Sequence, residues 1–214
     1  MNLFSKEYLG QLSQILDLFP HEQFEQMIDC LLAAHAEGRR IFIMGNGGSA
    51  MTASHFACDL NKGCSLGQER RFKAICLNDS LPTLLAYAND LSYAQIFVEQ
   101  LKNFYVPGDV VMGISASGNS ANVLRAIEYA NGHAGITIGW CGFDGGALGP
   151  MVRIPLVIHA QDMQKIEDLH LIMAHMTMQQ INAAITGQPE KSHGLKERAV
   201  PRRSLTNSSD HLNP

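Results

Sequence analysis

No C-x-x-C pair occurs in this chain, no apolar run of about 18 residues, and little charge of either sign. Each shortage excludes something. The five cysteines (Cys30, Cys58, Cys64, Cys76 and Cys141) are odd in number and scattered, which argues for reduced thiols and against a disulfide framework or a cysteine zinc site. Without a long apolar run there is no membrane span to expect, and the N-terminus lacks a charged-then-apolar leader, so a cytoplasmic location is expected. A net charge of −4 and a pI near 6.1 give no electrostatic reason to expect nucleic acid or an anionic membrane surface as partner. Charged residues make up only 17% of the chain, sparse for the surface of a monomer, and this points to surface covered by other subunits.

What is present is a strand–turn–helix signal, Ile41-Phe42-Ile43-Met44-Gly45-Asn46-Gly47-Gly48-Ser49, running on toward Lys62. Glycines permit positive φ and close approach of a ligand to the backbone. The following helix offers unpaired N–H groups and a positive dipole end, together an anion site for which phosphate is the natural guest. Ser49 is placed either to cap that helix or to donate its hydroxyl. No Lys follows the glycines, which excludes a P-loop. The dinucleotide fingerprint is matched as Gly45-x-Gly47-x-x-Ala50, but a second loop argues against it. That loop, Ser115-Ala116-Ser117-Gly118-Asn119-Ser120, is another strand-to-helix turn, rich in hydroxyl donors. Neither loop contains Lys or Arg, so a phosphate there would be held by neutral donors and helix ends.

Around these loops the pattern is α/β. Strands are expected near 41–44, 72–77, 110–114, 134–139 and 153–158, alternating with helices, which makes a parallel sheet covered on both faces. Two amphipathic helices precede the first strand, one broken at Pro20 and the other stopped at Gly38. Residues 1–38 are therefore an N-terminal helical segment, packing on the core or on partner subunits, and 39–186 the α/β domain. Residues 187–214 lose apolar periodicity and read as a disordered tail. The stretch 61–71 reads as a loop, and 141–150 as a glycine-rich loop in which Asp144-Gly145-Gly146 is a turn without chemistry.

The pair G-N-G-G-S and I-S-x-S-G-N-S on alternating strands resembles the sugar isomerase (SIS) domain family, and within it the phosphoheptose isomerases. The likeness runs from about residue 5 to 186. It implies a five-stranded parallel sheet in a three-layer αβα sandwich, and a homotetramer in which N-terminal helices join a central bundle and active sites lie between subunits. The substrate implied is a phosphosugar, sedoheptulose 7-phosphate, isomerised to a heptose 7-phosphate through an enediol. Substrate and phosphate contacts implied are Asn46, Gly47, Gly48, Ser49, Asp90, Ser115, Ser117 and Ser120. Asp90 is equally placed to cap a following helix.

Acid/base chemistry of this kind needs a carboxylate and a second proton carrier. His55 and Asp59, four apart, share one helix face, and Glu167, His170 and His175 lie on the last helix. The resemblance places the catalytic groups at Asp59, Glu167 and His175, and zinc or another divalent ion at His55, Asp59, Glu167 and His175. All four are competent ligands. The family has Glu where Asp59 stands and Gln where Glu167 stands, so either carboxylate is open as the base. The family also has Thr at Ala116 and Asp at Gln164. Glu167 and His175 are eight apart, roughly 12 Å along a helix axis, so one ion can hardly take both from a single copy. His170 stands between site and core, and Cys58 and the methionines read as filler. Two alternatives stand beside the heptose reading: an isomerase of another phosphosugar, and a non-catalytic SIS module that only binds.

Overall fold

A computed structural model describes residues 3–187. Five strands, β1 (Arg40–Gly45), β2 (Lys73–Cys76), β3 (Val110–Ser115), β4 (Ile136–Gly142) and β5 (Ile154–Ile158), form one sheet in the order β2-β1-β3-β4-β5, every pairing parallel. The strands expected from sequence are all present. The central strands are buried on both faces, as continuous apolar runs in a parallel sheet must be. Strand periodicity divides the core in two. Ile41 and Ile43 join Phe24, Met27, Phe56, Trp140 and Met173 on one face, while Phe42 and Met44 join Phe97, Val123, Ile127 and Leu148 on the other.

The first face is covered by α2 (His21–Glu37), α3 (Gly48–Cys58) and α8 (Met163–Thr186), the second by α5 (Ile96–Phe104) and α6 (Ala121–Gly132). α2 stops at Gly38, whose φ of 68° is the left-handed conformation that a helix-ending glycine supplies. α8 starts at Asp162, whose carboxylate accepts from the N–H groups of Gln164 and Lys165. Trp140 is fully buried between α2, α3 and α8. Its indole N–H points at the Met27 sulfur, 3.2 Å away, and its ring stands 5.3 Å from that of Phe56 and 5.9 Å from that of His170. All five cysteines are free thiols, and burial pushes those of Cys64, Cys76 and Cys141 up to about 12.

The remaining helices, α1 (Phe4–Leu16), α4 (Leu81–Asp90) and the short α7 (Leu148–Met151), refine the expected pattern. α1 buries none of its residues and is tied to α8 mainly through Tyr8, whose hydroxyl donates to Asp168 at 2.6 Å under the Lys165 ammonium. The helix expected to run to Lys62 is α-helical only to Cys58. From Asp59 to Gly63 it widens to a π turn, closed by the Cys64 N–H donating to the Asp59 carbonyl at 2.9 Å. The helix expected from Tyr93 opens with a 3-10 turn, Tyr93–Gln95, and β4 begins at Ile136 and runs on to Gly142. Of the expected disordered tail only Gly187 is described; the rest lies outside the described residues.

Candidate active site

Gly45 at the end of β1 pairs with Ile114, one residue before the end of β3 at Ser115, so the two polar loops leave adjacent strands at the same level. In strand order 2-1-3-4-5 the chain departs to opposite sides from β1 and β3, and the crevice between them is where such sheets take ligands.

The first loop depends on its glycines. A Cβ at Gly45 would lie 2.6 Å from the Ser49 carbonyl, because α3 folds straight back over the strand end. Gly47 has φ 55° and occupies the position before the helix, so Ser49 sits inside the first turn rather than capping it. Ser49 is buried at the foot of α3 and its hydroxyl makes no hydrogen bond among the described residues. A Cβ at Gly48 would come within 2.5 Å of Glu167, whose carboxylate from α8 is laid against the loop. Asn78, just beyond β2, extends the sheet, accepting from the Gly45 N–H at 3.1 Å and donating to its carbonyl at 2.9 Å.

In the second loop Ser115 and Ser120 share a hydroxyl–hydroxyl bond of 3.0 Å, and the Ser117 hydroxyl accepts from the Asn119 N–H at 3.3 Å. The Asp144-Gly145-Gly146 turn is this loop's support. The Leu148 N–H donates to the Gly118 carbonyl at 2.9 Å and the Ala147 N–H to the Asn119 side chain at 3.1 Å. The two loops are joined across the crevice by side-chain amides. Asn46 and Asn122 each donate to the other at 2.9 Å, and the Tyr93 hydroxyl donates to the Asn46 oxygen at 2.8 Å.

Two turns along α3 a second cluster forms. His55 Nε2 is 2.9 Å from His175 Nε2 on α8 and 3.3 Å from Asp59 Oδ2. Asp59 Oδ2 is buried and has no hydrogen-bond donor aligned to it among the described residues, the ion-pair distance notwithstanding. Two ring nitrogens and one carboxylate oxygen thus converge within 4.8 Å of one another, a donor set that suits a divalent transition ion. Two imidazole nitrogens this close share a proton or a cation. Glu167 is not in the converging set; the single chain brings together three of the four expected ligands, as the eight-residue spacing along α8 requires.

Of the expected contacts, Asn46, Gly47, Gly48 and Ser49 line one side of the crevice and Ser115, Ser117 and Ser120 the other. Asp90 ends α4, is exposed, and accepts from the Asn89 side chain at 2.8 Å; no hydrogen bond joins it to either loop among the described residues. His170 is core, with Nε2 donating to the Cys141 carbonyl at 3.2 Å. Asn78, Tyr93 and Asn122 were not foreseen. Asn122 had a signal, a polar residue two positions after the serine loop in the first turn of a helix, but Tyr93 had none.

Comparison with known proteins follows the same lines. The family model of the SIS domain matches residues 7–142. A phosphoheptose isomerase of Helicobacter pylori is 36% identical over 178 residues, covering 82% of this chain and 92% of that protein. The structure of phosphoheptose isomerase from Neisseria gonorrhoeae superposes with a TM-score of 0.76 at 27% identity, over 84% of this chain and 97% of the other. That of a phosphoheptose isomerase from Francisella tularensis gives 0.78 at 25% identity, over 85% and 99%.

Proposed function

The chain belongs to the SIS-domain family, and from that premise we propose that it is a phosphosugar isomerase converting sedoheptulose 7-phosphate to a heptose 7-phosphate. The observation that carries this reading is the placement of two sites on one helix. The glycine loop opens α3, and His55 lies seven residues on, roughly 10 Å along the axis. That separation is comparable with the reach of an extended seven-carbon sugar from its phosphate to its carbonyl end. Phosphate is held by the N–H groups at the start of α3 and of α6, with the hydroxyls of Ser49, Ser115, Ser117 and Ser120. The reacting carbons then lie against His55, Asp59 and His175.

The reaction moves two protons, one between carbons and one between oxygens. A base takes the first from C1 of the ketose, an enediol forms, and that proton returns at C2 while the hydroxyl proton passes from one oxygen to the other. Asp59 is the better placed base, because it stands with the two histidines, whereas Glu167 stands at the phosphate loop. His175, exposed and paired with His55, is the partner that carries the oxygen proton. The residues also fit a metal in place of the proton that His55 and His175 otherwise share: His55, Asp59 and His175 would hold it, and the orphaned Asp59 oxygen is the atom that lacks a partner without one. A divalent ion bound there would polarise the sugar carbonyl. Glu167 completes such a site only from a neighbouring subunit.

A homotetramer with shared active sites is supported by the surface of the single chain. Phe4 is 78% exposed and Leu9 63% exposed on α1, and Met51, on the same side of α3 as His55, is 73% exposed. Exposed apolar side chains on α1, and Met51 beside the His55 cluster, are what a partner subunit would cover. No described helix is long and apolar enough to cross a membrane.

The test is incubation with sedoheptulose 7-phosphate, fructose 6-phosphate and arabinose 5-phosphate in D₂O, followed by NMR, with and without Zn²⁺. Deuterium should enter beside the carbonyl of the heptose, and Asp59→Asn should stop it without preventing binding. Incorporation only into another sugar would move the substrate assignment, a change that the shorter Asp59 side chain makes physically reasonable, since an ångström of misplacement costs about a hundredfold. Binding without exchange in any of the three would leave a binding module.

A further inference from the structure

The amide of Asn46 is held in one orientation by two residues that reach it from elsewhere in the chain. The orientation can be traced from an unambiguous donor. The backbone N–H of Val123 donates to Asn122 Oδ1 at 2.9 Å, which fixes the oxygen side of that buried amide. Asn46 Nδ2 donates to the same oxygen, and Asn122 Nδ2 donates back to Asn46 Oδ1, both at 2.9 Å. The Tyr93 hydroxyl donates to Asn46 Oδ1 at 2.8 Å. A side-chain amide has two acceptor sites and two donor hydrogens. Both acceptor sites of Asn46 are now filled and one hydrogen is used. One N–H remains, without a partner among the described residues, on a half-buried residue at the mouth of the crevice between the two loops.

We propose that Tyr93 and Asn122 are positioning residues that oblige Asn46 to present an N–H donor, and not its carbonyl oxygen, to the anionic end of the substrate. The inference rests on the phosphosugar reading and deepens it. In loops without Lys or Arg, the sign of each neutral dipole decides whether it attracts phosphate. An Asn46 amide turned the other way would set a carbonyl oxygen against the phosphate oxygens. Tyr93 is 61% exposed and fills no core space, so its hydroxyl and not its packing is what the fold uses.

The experiment is a double-mutant cycle on the full-length protein, read as the dissociation constant for sedoheptulose 7-phosphate by calorimetry, with KM and kcat alongside. Tyr93→Phe deletes the hydroxyl alone, and loss of one such bond should weaken binding about fivefold and raise KM similarly, with kcat within about twofold of wild type. In an Asn46→Ala background the same substitution should have no further effect. Asn122→Asp, which keeps the acceptor but removes the donated N–H, should weaken binding at least as much as Tyr93→Phe. Unaltered affinity in Tyr93→Phe, or an undiminished effect in the Asn46→Ala background, would overturn the inference while the functional reading stood. Wild-type protein that binds no phosphosugar would overturn the functional reading, and the inference with it.

Discussion

At the scale of single residues, His170 shows what burial does to a titratable group. It is 1% exposed, one ring nitrogen donates to the Cys141 carbonyl, and the other has no partner among the described residues. Desolvation lowers its pKa from the usual 6.5 to about 4. The unfolded chain therefore takes up this proton near pH 6.5 and the folded chain only near pH 4. Between those values the unfolded state binds more protons, so stability is complete above about pH 6.5 and is lost as pH falls, by about 1.4 kcal/mol per unit from this group. Urea unfolding at pH 7 and pH 5 should show that loss in the wild type and a smaller loss in His170→Gln. Equal losses in both would remove His170 as the cause. From sequence this histidine stood undecided between site and core, because a helix as apolar as 169–178 carries both kinds. Its neighbour His175, five residues on and facing α3, went the other way.

Among elements, the serine loop is held in shape by a turn 27 residues further along the chain. Gly118 has φ 66°, and a Cβ there would lie 2.1 Å from the Gly145 carbonyl. Left-handed backbone alone costs a residue with a Cβ about 1–2 kcal/mol, and the collision adds displacement of the supporting turn. Gly118→Ala should lower phosphosugar affinity more than about tenfold, since one anion contact after another leaves its place. Gly132→Ala, where a Cβ meets nothing within 4 Å, is the control and should bind as wild type. Equal affinities would show that the loop adapts. Both polar loops were legible in the sequence because their signals are local: an apolar run, glycine or serine, then helical spacing. The support from Gly145 and Gly146 was not, and that turn read as chemistry-free. Contacts such as Tyr93 to Asn46 link residues whose spacing carries no period. The π turn that begins at Asp59 was equally hidden, since nothing in Asp59-Leu60-Asn61-Lys62-Gly63 distinguishes a widened turn from an ordinary helix end.

For the whole molecule, the sparse charge in the sequence and the exposed apolar side chains in the structure describe the same surface from two directions. α1 leans on the core only through the half-buried Leu12 and Ile15, and leaves Phe4 and Leu9 exposed. A chain beginning at Leu18, which retains the buried Phe19, should stay folded but sediment as a smaller species, with activity lost if the site is shared between subunits. A truncated protein of unchanged size and activity would place assembly elsewhere. The parallel sheet and its two faces followed from composition and periodicity. Assembly followed from composition only as a need for cover; the tetramer was an expectation of the family resemblance.

The burial of Trp140 has an optical consequence. It is the chain's one tryptophan, so the tryptophan emission of the intact protein, excited beyond the tyrosine band, comes from a single known point between α2, α3 and α8. Its emission should be short in wavelength while those helices stay packed and shift red when any of them lifts from the sheet. The same indole stands beside the His170 ring, so protonation there should dim it. α3 carries His55 and α8 carries His175, which lets one unmodified chromophore report, without a label, on the two helices that bring the proposed catalytic groups together.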